Sequence, residues 1–280
     1  MRKRILFTAL ILLTAFFSVQ DVFAGPPLVN LEGVGGIAFN PLAYPSDSTG
    51  ENSHFKVSDI DILGKPRFGA WYVNLDDVDV DWTTIGIAET FFKRLEVSYG
   101  YETIAQSKSP TTHKHNIGAK LLLVPENAFN LNFIPAVSVG TIYKQTSFDV
   151  GANVDDSSFD YYAVATKLIT QLPAPVLLSG GVLSTEGRVT GVFGFDEDRE
   201  VTGFGNIDVI LAKQFIVGFE YKQGARFSDF RNADYWDAHL AWLATDKLTL
   251  VAAYVDAGDS KSTDKVGLGD GVVLSAQYAF

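Results

Sequence analysis

Nine charged or titratable residues fall on one face of segments that alternate polar with apolar positions. They are Glu96, Glu102, Lys120, Lys167, Asp208, Glu220, Lys222, Asp237 and His239. Ser98, Asn116, Asn206 and Gln277 share that face. Acids and bases mixed in this way can line a passage and pair across it, or form a constriction that selects small polar or charged solutes. They are poorly arranged for catalysis. A hydrolase of the serine–histidine kind needs a hydroxyl, an imidazole and an orienting group within hydrogen-bond reach. His239 has Asp237 two positions away but no serine tied to it by spacing. His113 and His115 share parity with Ile117 and so lie on the opposite, outer face, with Ser107 and Ser109 in the loop before them. A hydrated rim cluster accounts for that group. One His-x-His pair is too few for a metal centre. The acidic loops lack the spacing of calcium ligands. Gly35-Gly36 is followed by no Lys-Ser/Thr, so it is no phosphate loop. No catalytic residue, cofactor or metal is expected.

The elements that must carry this face are strands. Two-residue alternation recurs along the chain and helical periodicity does not. Leu95, Val97, Tyr99 and Tyr101 oppose Glu96, Ser98, Gly100 and Glu102; Phe215, Val217, Phe219 and Tyr221 oppose Gly218, Glu220 and Lys222. Trp236, Ala238, Leu240 and Trp242 oppose Asp237 and His239. About twelve such strands can be read, at 66–75, 80–90, 94–104, 112–123, 131–143, 158–170, 176–185, 201–212, 215–223, 234–244, 247–256 and 270–280. Their connections alternate short and long, with 76–79 the exception. Tight periplasmic turns and longer external loops give that rhythm in outer-membrane barrels. Acid gathers in the long loops, at Asp155-Asp156, Asp196-Glu197-Asp198, Asp259 and Asp264.

The start of the chain does not belong to this pattern. Arg2, Lys3 and Arg4 precede an apolar run from Ile5 to Val19, and Val22-Phe23-Ala24 ends in the small residue a signal peptidase needs. Residues 1–24 read as a cleaved secretory signal. The whole chain has 22 basic and 33 acidic residues. The signal takes three of the former and Asp21, so the mature chain carries 19 and 32, a net charge of −13. That balance excludes a nucleic-acid partner, which needs basic patches. The chain has no cysteine. Disulfides and a lipid anchor on cysteine are therefore excluded. Past residue 24 no apolar run is long enough for a transmembrane helix.

At the other end, Val272, Leu274, Ala276, Tyr278 and Phe280 alternate with Gly271, Val273, Ser275, Gln277 and Ala279. A last strand of this kind, ending on an aromatic residue, resembles the signature of outer-membrane barrel proteins. The resemblance implies that Tyr278 and Phe280 form the signal read by the barrel-insertion machinery. A closed barrel also satisfies every backbone polar group within hydrocarbon. The fold expected is all-β: a transmembrane antiparallel up-and-down β-barrel of about twelve strands, residues 66–280, in contact with outer-membrane lipid.

Residues 25–65 fit no strand. The stretch Leu31 to Pro45 is small, Gly-rich and apolar, and turns polar at Ser46 to Ser53. It reads either as a periplasmic lead-in or as a plug in the barrel mouth, with Gly33, Gly35, Gly36, Asn40 and Pro41 as its marked positions. The run Gly33-Val34-Gly35-Gly36-Ile37-Ala38-Phe39-Asn40-Pro41-Leu42-Ala43-Tyr44 resembles an uncharacterised proteobacterial family of exported proteins of unknown function. It also resembles the plugged transporters of the fatty-acid transporter type, through Asn40-Pro41 with Ala43 displaced by one position. The functional expectation is a channel or facilitated-diffusion protein for a small solute. The alternative is a non-transporting structural or partner-binding barrel. An outer-membrane hydrolase is the least supported, although twelve-strand phospholipases show that the fold permits one.

Overall fold

The computed structural model describes residues 28–47, 55–57, 60–107, 109–149 and 154–280. The expected signal peptide, residues 1–24, lies outside the described residues, as do Gly25 and residues 48–54. Two short strands come first, β1 (Phe55–Val57) and β2 (Ile60–Leu63). They pair as a hairpin that touches the rest of the sheet at Leu63 and Phe91. Twelve further strands follow. They are β3 (Arg67–Leu75), β4 (Val80–Phe91), β5 (Leu95–Gln106), β6 (Thr112–Val124), β7 (Ala136–Thr146) and β8 (Ser157–Ile169). The rest are β9 (Val176–Gly187), β10 (Phe195–Leu211), β11 (Phe215–Lys222), β12 (Tyr235–Leu243), β13 (Leu248–Asp256) and β14 (Asp270–Ala279).

Each of the twelve pairs antiparallel with its sequence neighbour, and β14 returns to β3 over Gly271–Ala279 against Leu75–Arg67. Closure leaves no open edge among them, which is what hydrocarbon demands of a sheet. The alternation in the sequence becomes two faces. Ile85, Ile87, Val97, Ile117, Leu121, Val217, Leu240 and Leu274 are exposed on the outside. Aromatic rings gather toward both ends of that surface. Tyr72, Phe159, Tyr221 and Tyr254 lie near the long loops, and Phe92, Phe215, Trp242 and Tyr278 near the tight turns. Amphipathic rings favour the two membrane–water boundaries.

Two tight turns are built without glycine. Phe92 and Lys93 between β4 and β5, and Ala212 and Lys213 between β10 and β11, all have positive φ. Two successive left-handed residues match the right-handed twist of the flanking strands. The exceptional connection at 76–79 is one 3-10 turn, Asp76–Val78, capped by Asp79 in the left-handed region.

The stretch 25–65, expected to hold no strand, contains the β1–β2 hairpin, whose backbones pair antiparallel. Two boundaries also differ from the sequence reading. The segment expected to open a strand at residue 131 starts it only at Ala136. Residues 128–130 form a turn, with Phe129 and Asn130 at positive φ, and Pro135 has no amide hydrogen to give a ladder. Conversely, Asp196-Glu197-Asp198 sit inside β10 rather than in a loop. The register slips between Phe195 and Glu200, so an irregular ladder carries these acids past the regular alternation.

Candidate functional site

The barrel is filled by its own N-terminal segment. Residues 28–47 lie inside it, and most of them are buried. Three apolar clusters receive the segment. Leu28 and Ile37 pack with Leu177, Ile210, Ile216, Ala241 and Val251. Val34 and Ala43 pack with Leu122, Ile142, Tyr162 and Phe204. Leu31 and Ala38 join Trp71, Trp82, Ile104 and Val273.

Small residues decide how closely the segment approaches the wall. Gly69, Gly86 and Gly100 are direct register partners on β3, β4 and β5. A Cβ on Gly86 would lie 3.0 Å from the Gly33 Cα, and one on Gly100 would lie 2.6 Å from the Glu32 carbonyl oxygen. Gly33 itself has φ +88°, a conformation open to glycine and costly for other residues. The Gln277 side chain fills the space in front of Gly69, accepting from the Val29 amide at 3.0 Å and donating to the Val29 carbonyl at 3.2 Å.

Charged side chains of the wall hold the segment's backbone. The Glu220 carboxylate accepts from three successive amides, Ala38 at 3.1 Å, Phe39 at 2.8 Å and Asn40 at 3.2 Å. Glu96 accepts from Gly35 at 2.8 Å and Ser46 at 2.6 Å. Lys120 donates to the Gly35 carbonyl at 2.8 Å and pairs with Glu96 at 3.1 Å. Asn40 donates to the carbonyls of Gly205 and Tyr221 on β10 and β11. Thr166 accepts from the Ala43 amide at 2.8 Å, and Trp71 donates to the Val29 carbonyl at 2.8 Å.

The segment returns two charges of its own, of which Asp47 pairs with Arg67 of β3 at 3.2 Å. Glu32 bonds Lys144 and lies 3.5 Å from Lys114. Burial by itself would push its carboxyl up. The ammonium groups of Lys144, Lys222 and Lys114 outweigh that and hold it well below the usual carboxylate range. Lys114 also pairs with Glu102 at 2.9 Å, and Lys144 with Asp160 at 2.6 Å.

A second polar cluster stands on β10–β12. His239 is clamped by Asp237 at 2.7 Å on Nδ1 and by Asp208 at 2.8 Å on Nε2. Gly218, between Asp208 and His239 in register, leaves room for that bridge. The long loops cover the external end. Val189, Val192 and Phe195 are buried, and Val192 joins the cluster around Leu31 and Trp71. Thr146 donates to the Val192 carbonyl at 3.2 Å, Asn232 accepts from the Val189 amide at 2.9 Å, and Arg188 pairs with Asp196 at 2.6 Å.

Glu96, Glu102, Lys120, Asp208, Glu220, Lys222, Asp237 and His239 all face this interior and are buried. They meet protein there rather than an open passage. Lys167 is a correction. Its neighbour Thr166 points inward to Ala43, so alternation turns Lys167 the other way. Its ammonium pairs with Glu126 at 3.0 Å and donates to Asn127 at 2.6 Å, at the tight-turn rim. Gly33, Gly35, Gly36, Asn40 and Pro41 lie inside the barrel. His113 and His115 are on the outer face, bonded to Tyr101 and Tyr99 at 2.8 Å each. Tyr278 and Phe280 are exposed on the outer face with rings 5.1 Å apart, edge to face. Sequence reasoning missed Glu32, Lys114, Lys144 and Asp160. Lys114 and Lys144 share parity with Asn116 and with Ile142, and that parity was the available signal.

Several solved structures share this architecture. The porin KdgM matches with a TM-score of 0.50 and 11% identity, over 77% of this chain and 99% of that one. Omp33 of Acinetobacter baumannii matches with a TM-score of 0.47 and 12% identity, over 78% and 98%. Outer membrane phospholipase A of Escherichia coli matches with a TM-score of 0.45 and 9% identity, over 83% and 96%. At these identities the likeness is one of fold. No curated protein matches the sequence. The closed twelve-strand barrel with an apolar outer belt is an outer-membrane protein. The model of one family, described as a protein of unknown function, matches residues 28–277, which include both the inner segment and the barrel, and the chain belongs to that family, DUF3034.

Proposed function

We propose that this barrel is a gated channel or facilitated-diffusion protein for a small solute, with residues 28–47 as its plug. The observation that carries the reading is how the plug is fastened. Its backbone amides and carbonyls bond to side chains of the wall, chiefly Glu220, Glu96, Lys120, Gln277 and Thr166. Water can replace each of those bonds at little net cost. A wall bearing Glu96, Glu102, Lys120, Asp208, Glu220, Lys222 and Asp237 is already suited to hydration once the plug moves. The porin fold of a neighbour such as KdgM agrees with a transport role.

A specific observation favours a second reading, a non-transporting structural or partner-binding barrel. Val192 of the external loop packs on the same cluster as Leu31 and Ala38, so the inner segment and the external loop meet inside the barrel. An enzymatic reading has less support. Among the described histidines, both ring nitrogens of His239 are bonded to carboxylates, and His113 and His115 are bonded to tyrosines. No serine hydroxyl bonds to any of these rings among the described residues.

The test compares single-channel conductance in a planar bilayer for the mature chain and for the chain lacking Gly25–Ser53. Rare or small steps from the first and regular, larger steps from the second support the plugged channel. Two stably inserted, heat-modifiable and silent barrels would move the assignment to the structural reading.

A further inference from the structure

Glu32 occupies a site that is built for a carboxylate and that it does not complete. Lys114 of β6 and Lys144 of β7 approach it directly, and Lys222 of β11 lines the same small cavity as Lys144. The wall supplies two carboxylates to this group, Glu102 to Lys114 and Asp160 to Lys144. Three buried ammoniums against two wall carboxylates leave one positive charge, and Glu32 alone makes the group neutral. A buried charge without a counter-ion is costly, so the wall by itself holds an unmet demand for one anion.

The third lysine marks where that demand points. Lys222 is buried, feels Glu32 electrostatically and has no hydrogen-bond acceptor among the described residues. It lines a cavity of about 10 Å³ with Thr190, Thr202, Asn232 and Tyr235. The hydroxyls of Thr190, Thr202 and Tyr235 are buried and unpartnered. A space of that size holds about one water. It lies beneath the long loops, which contribute Thr190 and Asn232 to its lining.

We propose that Lys114, Lys144 and Lys222 form the recognition point for a small solute bearing a carboxylate, and that Glu32 fills it in the closed protein as a tethered stand-in. The inference rests on the plugged-channel reading. A solute carboxylate takes over the Lys144 and Lys114 contacts, supplies Lys222 with an acceptor and removes one ionic fastening of the plug. A neutral sugar or a cation would leave Lys222 unpaired and the lysine group unbalanced. The charge deficit is one, which a monocarboxylate meets without excess.

The experiment measures binding in detergent micelles, with no membrane or flux involved. Thermal unfolding of the full-length Glu32→Ala variant is followed with sodium acetate, with acetamide and with sodium chloride. Acetate should raise the melting temperature saturably, and the other two should not. Lys222→Met in the same background should abolish the shift. Equal effects of acetate and acetamide, or an unchanged response with Lys222→Met, would overturn the inference. If Glu32→Ala does not fold, the barrel lacking Gly25–Ser53 serves instead, titrated calorimetrically with acetate and judged by the same Lys222→Met comparison. Acetate binding to a barrel that never conducts would sink the channel and leave this site standing. Conduction without acetate binding would do the reverse.

Discussion

Gly33 of the inner segment lies so close to Gly100 of β5 that a Cβ on Gly33 would come within 2.6 Å of the Gly100 amide nitrogen. The reverse holds too, because a Cβ on Gly100 would lie 3.0 Å from the Gly33 nitrogen and 2.6 Å from the Glu32 carbonyl oxygen. Backbone meets backbone here, with no flexible side chain to give way. Gly100→Val should therefore displace the segment while leaving the barrel intact, since the outer face of β5 is unchanged. Overpacking of this kind costs about 1–3 kcal/mol. Proteolysis of the folded variant should release the N-terminal segment faster than in the native chain. An unchanged cleavage rate would show that the glycine row does not set the fit.

Glu220 accepts three consecutive amides with one carboxylate. Glu220→Ala leaves Ala38, Phe39 and Asn40 without acceptors. Each orphaned buried donor costs about 1–3 kcal/mol. Hydrogen exchange at those three amides should accelerate by at least tenfold, with the β11 and β12 ladder amides still protected. Uniform loss of protection across the sheet would mean that Glu220 holds the barrel rather than the segment.

The Glu32 carboxyl is held below its ordinary value, so its contribution to stability has a definite sign with pH. A depressed folded value means the contribution is full above the unfolded value, about 4.3 for glutamate, and fades as pH falls from there toward the folded one. The stability difference between the native chain and Glu32→Gln should then be constant from pH 8 to pH 5. It should narrow only in stronger acid. Equilibrium urea unfolding across that range checks it, and a gap that widens on acidification would contradict the assigned direction.

Tyr278 and Phe280 stand edge to face on the outer surface of β14, the strand that closes the barrel on β3. Deleting Phe280 should lower the amount of assembled, heat-modifiable protein in the outer membrane severalfold. The purified variant, refolded in detergent, should keep the native melting temperature within a few degrees, because the ring buries little. Equal amounts in the membrane would remove the assembly role from this residue.

The sequence showed the strands because pleat alternation is local. Each of Leu95–Tyr101, Phe215–Tyr221 and Val272–Phe280 reports its two faces without reference to any other segment. Most strand positions follow from that period, as does the inward parity of Glu96, Glu220 and Asp237. The period fails where the backbone is irregular. Asp196–Asp198 ride a register slip, whereas at Lys167 the ladder is regular and the side chain alternates with inward Thr166, so the error there lay in assigning the face.

By itself, then, the sequence determined that the chain alternates, closes and presents an apolar belt, since a period of two and a lipid solvent permit little else. What occupies the barrel was decided by tertiary structure alone. Glu96 meets Gly35 across 61 positions of sequence, Glu220 meets Ala38 across 182, and Gln277 meets Val29 across 248. No local pattern encodes such pairs. They arise because closure brings strands from all round the barrel onto one short segment, and because the glycines of three neighbouring strands leave a seat its backbone can enter.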